Sequence, residues 1–126
     1  MKHRSSLSYP IISILLGGLV LRTIIAIFLP AGYDEAYYYI YTQNLDWSYF
    51  DHPVLVSLTT GIGVWLTGEV NQFTIRIGTL IIYTASLYLL YVTGKNFFSA
   101  KSGLFTLIIA SVIPIFTVAF GVLTLP

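Results

Sequence analysis

The chain has 126 residues, of which 56% are hydrophobic and only 9% are charged. An ordinary soluble domain carries about 25% charged residues, so this composition excludes a water-soluble fold. Six basic and five acidic residues leave a net charge of +1, and the scattered basic residues form no patch for a nucleic-acid partner. The absence of cysteine excludes disulfides, thiol chemistry and cysteine-based metal sites. An integral membrane protein remains.

The first apolar run covers residues 10–29 and is long enough for the roughly 30 Å hydrocarbon core of a bilayer. It follows a basic start, as in a cleaved signal peptide. However, the run is longer than a signal-peptide core, contains Arg22 and lacks a small-x-small cleavage site. We therefore predict a retained transmembrane anchor.

Two more apolar runs, residues 73–92 and 103–120, flank a polar stretch that contains Lys95 and Lys101, and they predict a helical hairpin through the bilayer. The apolar segment 52–67 is shorter, about 16 residues, and fits either a short span or an interfacial helix. Basic residues accumulate in cytoplasmic loops. Three spans place the N-terminal basic residues and both lysines on that side, whereas four spans do not.

The predicted fold is therefore all-α and membrane-embedded, with three transmembrane helices and an extracytoplasmic loop, residues 30–72, that contains short juxtamembrane helices. The N-terminus is predicted to be cytoplasmic, in a multi-pass protein of the cell (inner) membrane. The loop holds every acidic residue of the chain: Asp34, Glu35, Asp46, Asp51 and Glu69. We expect any chemistry to take place there.

The loop is also rich in aromatic residues, which make up eight of the eighteen residues from 33 to 50. One interpretation is an aromatic belt, since Tyr and Trp favour the headgroup layer. The other is a platform on which sugar rings stack while neighbouring carboxylates bind the hydroxyl groups. The candidates for stacking are Tyr37, Tyr38 and Trp47.

The Pro-Ala-Gly sequence at residues 30–32 predicts the end of the first helix and a new helix with Asp34 as N-cap and with Tyr33 and Tyr38 as a hydrophobic staple. Capping alone explains Asp34. Glu35 beside it favours a functional interpretation, because two adjacent carboxylates at a membrane mouth are costly unless they are solvated or used. The helix N-terminus favours an ionised Asp34, which can act as a general base.

Asp51 and His52 precede a proline, which favours an extended backbone. They form only a weak metal signal, so no metal site is predicted and a divalent-metal requirement stays open. His52 can instead donate a hydrogen bond to an anionic headgroup. Arg22 in the first span and Arg76 near the start of the next are predicted to form a cationic floor that binds phosphate, with snorkelling as the alternative for Arg76.

Two motifs, YDEAYY at residues 33–38 and LDWSYFDHP at residues 45–53, resemble the start of glycosyltransferase family 39. These GT-C type enzymes are related to protein O-mannosyltransferases and to the lipid A aminoarabinose transferase. The resemblance implies that Asp34, with Glu35 beside it, is the catalytic carboxylate and that Asp51 is a second active-site acid. His52 stands where the aminoarabinose transferases have a lysine that contacts the lipid phosphate.

The resemblance also implies an inverting transfer of a sugar from a polyprenyl-phosphate donor substrate to an extracytoplasmic acceptor hydroxyl. Members of this family are longer, so we expect this chain to be an N-terminal part that is inactive alone. Its expected partners are the lipid-linked donor, membrane lipid and the C-terminal remainder of the enzyme. The alternative is a small non-catalytic membrane subunit that binds or translocates a lipid-linked carrier.

Overall fold

The structure, a computed structural model, describes residues 5–123, and these residues form helices joined by short connections. A 3₁₀ turn, Thr74–Arg76, leads into the fourth α-helix, and a π-helical segment, Ile115–Phe120, follows the fifth. The α-helices are α1 (Ser5–Phe28), α2 (Tyr33–Gln43), α3 (Val54–Thr67), α4 (Ile77–Phe97) and α5 (Ala100–Val112). Between residues 5 and 123 the only β feature is an isolated bridge between Ser48 and Pro53. The all-α prediction is confirmed.

Two helical stretches are long and apolar enough to cross a membrane, Tyr9–Phe28 and Thr74–Phe97, with 20 and 24 residues. At 1.5 Å per residue the shorter one reaches about 30 Å, the thickness of the hydrocarbon core. They agree with the first two predicted spans, although α4 continues five residues past residue 92, to Phe97. The 14-residue α3 and 13-residue α5 each reach only about 20 Å.

The third predicted span, residues 103–120, is not one continuous helix, so that expectation is wrong. Helix α5 ends at Val112, and Ile113 takes an extended conformation (φ −68°, ψ 118°) because it precedes Pro114. The Thr117 hydroxyl donates to the Ser111 carbonyl at 2.7 Å and satisfies one of the carbonyls freed by the break. A third crossing by this segment stays a prediction.

The core lies along α4, which packs against both α1 and α5. One cluster lies towards the α4–α5 turn, and a second lies towards the other end of α4, around Ala26, Leu80 and Val122. At the α4–α5 turn, a Cβ on Gly103 would lie 2.6 Å from the Tyr91 carbonyl oxygen, so glycine is required for this close approach. The first cluster consists of Ile11, Leu87, Tyr91, Leu107 and Ala110.

The predicted outer loop contains two helices, α2 and α3, which pack against each other. Helix α3 also lies on the 3₁₀ turn and on the start of α4, where Gly63 allows contact with the Thr74 carbonyl. Gly68, with φ 73°, ends α3 in the left-handed conformation that favours glycine. Two short helices thus lie between residues 30 and 72, while the arrangement of this segment as an extracytoplasmic loop stays a prediction.

Candidate active site

Helix α2 begins two residues earlier than expected, because Gly32 and not Asp34 is its N-cap. Glu35 is the third residue of the helix, and its Oε2 accepts a hydrogen bond from the Gly32 N–H at 3.0 Å. The predicted N-cap role of Asp34 is therefore wrong. The predicted staple is also wrong, because Tyr33 is 98% exposed while Tyr38 is only 2% exposed.

Glu35 forms a buried ion pair with Arg76, whose side chain is fully buried at the start of α4. Arg76 Nε donates to Glu35 Oε1 at 2.7 Å, and Nη2 donates to Oε2 at 2.6 Å. This two-bond geometry is the strongest arrangement available to an arginine and a carboxylate. The pair joins α2 to α4 across 41 residues of sequence.

The remaining N–H groups of Arg76 cap the C-terminal end of α1. Nη1 donates to the carbonyls of Ala26 and Leu29 at 2.9 and 2.6 Å, and Nη2 donates to that of Pro30 at 3.1 Å. These carbonyls include ones that a helix end leaves without internal partners. An arginine has five N–H groups, and here all five are used. Arg76 therefore has no donor left for a phosphate, which contradicts its predicted role.

Arg22 lies about one turn below Ala26 inside the helical bundle, and its side chain is also fully buried. Its Nη2 donates to Thr84 Oγ1 at 3.1 Å, and its guanidinium carbon lies 4.9 Å from the centre of the Tyr83 ring. Within residues 5–123, Nε and Nη1 have no hydrogen-bond partner. Arg22 and Arg76 share no partner and neither is exposed, so the predicted cationic floor does not form.

The opposite side of α2 faces the turn that carries Asp51 and His52. The Tyr41 hydroxyl donates to Asp51 Oδ1 at 2.5 Å, and His52 Nε2 lies 3.7 Å from Asp51 Oδ2. The His52 ring packs edge-on against the Tyr38 ring, with 5.0 Å between ring centres. Tyr37 belongs to the same group, with its ring centre 4.8 Å from that of Tyr41. These contacts bring residues of α2 and of the turn into one cluster.

Tyr49 fixes the turn on which Asp51 lies. Its ring stacks on Tyr41 at 3.8 Å, and its hydroxyl lies 3.0 Å from the Tyr41 carbonyl and 3.1 Å from the Asn44 carbonyl at the end of α2. Its backbone N–H donates to the His52 carbonyl at 3.1 Å. In the sequence, Tyr41 stands out only as one of many aromatic residues and Tyr49 only as part of the motif at residues 45–53. Their sequence positions alone gave no signal, because the pairing depends on how the turn folds back.

The charges in this cluster act on one another. The hydrogen bond from Tyr41 lowers the pKa of Asp51, and the nearby imidazole of His52 adds to the effect. Desolvation, and then the bond to Asp51, raise the pKa of Tyr41. Burial raises the pKa of Tyr38, and the negative charges of Asp34 and Asp51 raise it further. Both carboxylates thus act on the same phenol.

The structure divides the predicted site residues into three groups. The first, which we call the outer cluster, lies between α2 and the turn that carries Asp51 and His52. It includes Asp34, which is exposed on that side of α2. The second is the Glu35–Arg76 pair. Arg22 lies apart inside the bundle, and Trp47 is 91% exposed on the turn. Tyr38 is buried and packs against His52, so it does not present a face to a sugar. The outer cluster consists of Asp34, Tyr37, Tyr38, Tyr41, Tyr49, Asp51 and His52.

A cavity of about 390 Å³ is lined by residues of α3, α4 and the C-terminal segment and by Pro53, which follows His52 of the outer cluster in the sequence. Its lining is mostly apolar and includes Val56, Tyr83 and Phe120. Among the residues that the structure describes, no group of three or more His, Cys, Asp or Glu side chains lies close enough to hold a metal ion.

A family model described as dolichyl-phosphate-mannose-protein mannosyltransferase matches residues 51–125, more than half of the chain. The chain belongs to this family. Comparison with curated proteins and with solved structures gives no match. The family confirms the resemblance found in the sequence and identifies the class as a membrane glycosyltransferase. The matched range begins at Asp51 and includes His52 and Arg76, whereas the Asp34–Glu35 pair precedes it.

Proposed function

We propose that this chain forms the donor side of a GT-C type enzyme that transfers a sugar, with inversion, from a polyprenyl-phosphate carrier to an extracytoplasmic hydroxyl. The observation that carries the proposal is the outer cluster, in a chain of this family. The charges of an exposed carboxylate, Asp34, and of Asp51 act on the same side chain, Tyr38, and Asp51 pairs with His52, whose neighbour in sequence, Pro53, lines an apolar cavity. Such convergence of polar groups beside an apolar pocket is typical of a ligand site.

In this proposal Asp34 is the general base. It accepts the proton of the acceptor hydroxyl as the acceptor oxygen attacks C1 of the sugar, and the bond between C1 and the phosphate oxygen breaks with its electron pair going to the phosphate. Proton transfer of this kind contributes about 10² to 10⁴ in rate. Glu35 has a different role here, because Arg76 and the Gly32 N–H occupy its oxygens. It holds α2 in place and leaves the base role to its neighbour.

The leaving phosphate is proposed to meet His52. The imidazole is half-buried, precedes Pro53 of the cavity lining in the sequence and can donate an N–H to a phosphate oxygen. The arginines are less suited, because Arg76 has all its donors engaged and Arg22 lies inside the bundle. The apolar cavity suits the first isoprene units of the carrier. Tyr37 and Trp47 are exposed and stay the candidates for stacking on the sugar.

The orientation proposed for the chain follows from its charges. Every acidic residue precedes α4, whereas Lys95 and Lys101 lie at the other end of that helix, about 30 Å away. Because basic residues accumulate in cytoplasmic loops, the end of α4 with the lysines is placed in the cytoplasm. The acidic end is then placed at the exterior of the cell (inner) membrane. The outer cluster is then reached by a donor in the outer leaflet and by an extracytoplasmic acceptor. The acceptor contacts are expected from the remainder of a longer enzyme.

The test is an Asp34→Asn substitution in the full coding sequence that contains this chain. Membranes are assayed with dolichyl-phosphate-mannose and with a bacterial-length polyprenyl-phosphate-mannose. We expect the transfer rate to fall by at least about 100-fold, while expression and donor binding are retained. The matched control is Asp46→Asn, an exposed acid of the same loop, which should keep its transfer rate.

Near-normal turnover by the Asp34→Asn enzyme would remove Asp34 from the base role. Binding of the lipid carrier without transfer by the unmodified full-length protein would instead favour the non-catalytic carrier-binding subunit.

A further inference from the structure

Asp51 lies on an exposed turn, yet each of its carboxylate oxygens faces a side chain of the protein. Oδ1 accepts the Tyr41 hydroxyl at 2.5 Å, and Oδ2 faces His52 Nε2 at 3.7 Å. An exposed aspartate normally samples several rotamers, because solvent satisfies each of them equally well. Here the hydroxyl of Tyr41 selects the one orientation in which the second oxygen points towards the imidazole.

The Tyr41 side chain is itself held between two other rings. Tyr49 stacks on it with an angle of 19° between the ring planes, and the Tyr37 ring lies at 4.8 Å with a tilt of 56°. The Tyr49 hydroxyl is fixed in turn by the carbonyls at the end of α2. A phenol held in this way keeps its hydroxyl in place at a small cost in side-chain entropy.

We propose that Tyr41 is a positioning residue for sugar transfer, whose hydroxyl fixes the Asp51 carboxylate so that its second oxygen, Oδ2, orients the imidazole of His52 toward the leaving phosphate. This inference rests on the proposed function. It adds a residue that does not touch the substrate and acts through Asp51. At 3.7 Å the second oxygen of Asp51 is beyond hydrogen-bond distance, so it acts on the imidazole through its charge and favours the ring orientation that turns one nitrogen towards Asp51 and the other away from it.

The groups that face Asp51 are all accounted for in the described part of the chain. Helix α3 begins directly after the turn and contains no titratable side chain. Arg76 is engaged with Glu35 on the other side of α2. The titratable neighbours therefore come from α2 and the turn alone: Asp34, Tyr37, Tyr38, Tyr41, Tyr49 and His52.

The first experiment tests the contact without any activity. The 126-residue chain is prepared in lipid nanodiscs with isotope-labelled aspartate, and the carboxyl signal of Asp51, assigned with Asp51→Asn, is titrated by NMR. We expect Tyr41→Phe, which keeps the ring stack and removes the hydroxyl, to raise the pKa of Asp51 toward its ordinary value of 3.8. The matched control is Tyr39→Phe, a phenol of the same helix outside the cluster. An unchanged Asp51 titration in Tyr41→Phe would overturn the proposal.

The second experiment measures transfer by the full-length enzyme with dolichyl-phosphate-mannose. Tyr41→Phe should lower kcat about threefold to tenfold, because a hydrogen bond to a charged group at a solvent-exposed site is lost, while Tyr39→Phe keeps the native kcat. An unchanged kcat in Tyr41→Phe would overturn the positioning role. If the Asp51 titration moves as expected but the unmodified enzyme transfers no sugar, the proposed function fails and the Tyr41–Asp51 contact stands.

Discussion

Asp34 and Glu35 are adjacent in the sequence and carry the same charge, but α2 places them in opposite surroundings. Glu35 is buried, and its oxygens bind Arg76 and the Gly32 N–H. Asp34 is exposed and adds its charge to the outer cluster. Successive residues of an α-helix point about 100° apart, so one carboxylate faces the packed helices and the other faces solvent.

This difference shows that burial and partners, and not residue type, separate a structural acid from an acid available for chemistry. A carboxylate with saturated oxygens cannot take a proton without breaking the pair that holds α2 on α1 and α4. An exposed neighbour on the same rigid helix can take it at no such cost. The Glu35–Arg76 pair and the outer cluster are thus two faces of one scaffold.

The largest expected effect comes from breaking the buried pair. Arg76→Leu leaves the buried Glu35 without its cationic partner and leaves the carbonyls of Ala26, Leu29 and Pro30 without their donor. We expect the free energy of unfolding to fall by about 3–5 kcal/mol. The measurement is equilibrium unfolding of the purified chain in mixed micelles with increasing denaturing detergent.

Asp34→Ala provides the control, with an expected change of less than about 0.5 kcal/mol because its side chain is exposed. A double replacement of Glu35 and Arg76 by Met should recover only part of the loss, since the three carbonyls at the end of α1 still lack a donor. Equal destabilisation by Asp34→Ala and Glu35→Ala would contradict the division of α2 into two faces.

The two long apolar helices could be predicted from the sequence because bilayer thickness sets the length of an apolar run, and α1 and α4 have that length. The turn that carries Asp51 and His52 could be placed near Asp34 only through the resemblance to a family. Pro114 carried a readable signal for a helix break, but the continuous apolar run around it favoured a single span.

The Glu35–Arg76 pair could not be predicted, because 41 residues separate its members and only packing brings them together. The N-cap of α2 could not be predicted for the same reason, because it depends on the packing of Glu35 against Arg76. Gly32 and Asp34 are both acceptable caps, and the position of Glu35 in its pair with Arg76 fits the earlier helix start. The roles of Tyr41 and Tyr49 follow from a ring stack that no spacing along the chain specifies.

Arg22 differs from Arg76 in its hydrogen bonding. Only part of the Arg22 guanidinium has partners among residues 5–123. Arg22→Leu removes a charge that costs about 2.5–3.5 kcal/mol on membrane-insertion scales, so we expect the first span to insert more efficiently into microsomal membranes. The unfolding free energy should change by less than in Arg76→Leu, since one hydrogen bond and one ring contact are lost. Equal destabilisation by the two substitutions would show that Arg22 has a partner beyond residues 5–123.

The smallest expected effect is on the pKa of Tyr38. It distinguishes Asp34, whose charge acts on this phenol, from Asp46, whose charge does not. Burial, then Asp34 and Asp51, raise the pKa of Tyr38 above its ordinary 10.0. A pKa raised on folding stabilises the protein below pH 10.0, and this contribution is lost as the pH rises through the folded-state pKa. Ultraviolet difference spectra against Tyr38→Phe isolate this phenol. Asp34→Asn should lower its pKa, whereas Asp46→Asn should not, because Asp46 does not act on Tyr38. Equal shifts in both variants would mean that Asp34 acts only through the net charge of the loop, and its assignment to the outer cluster would then be wrong.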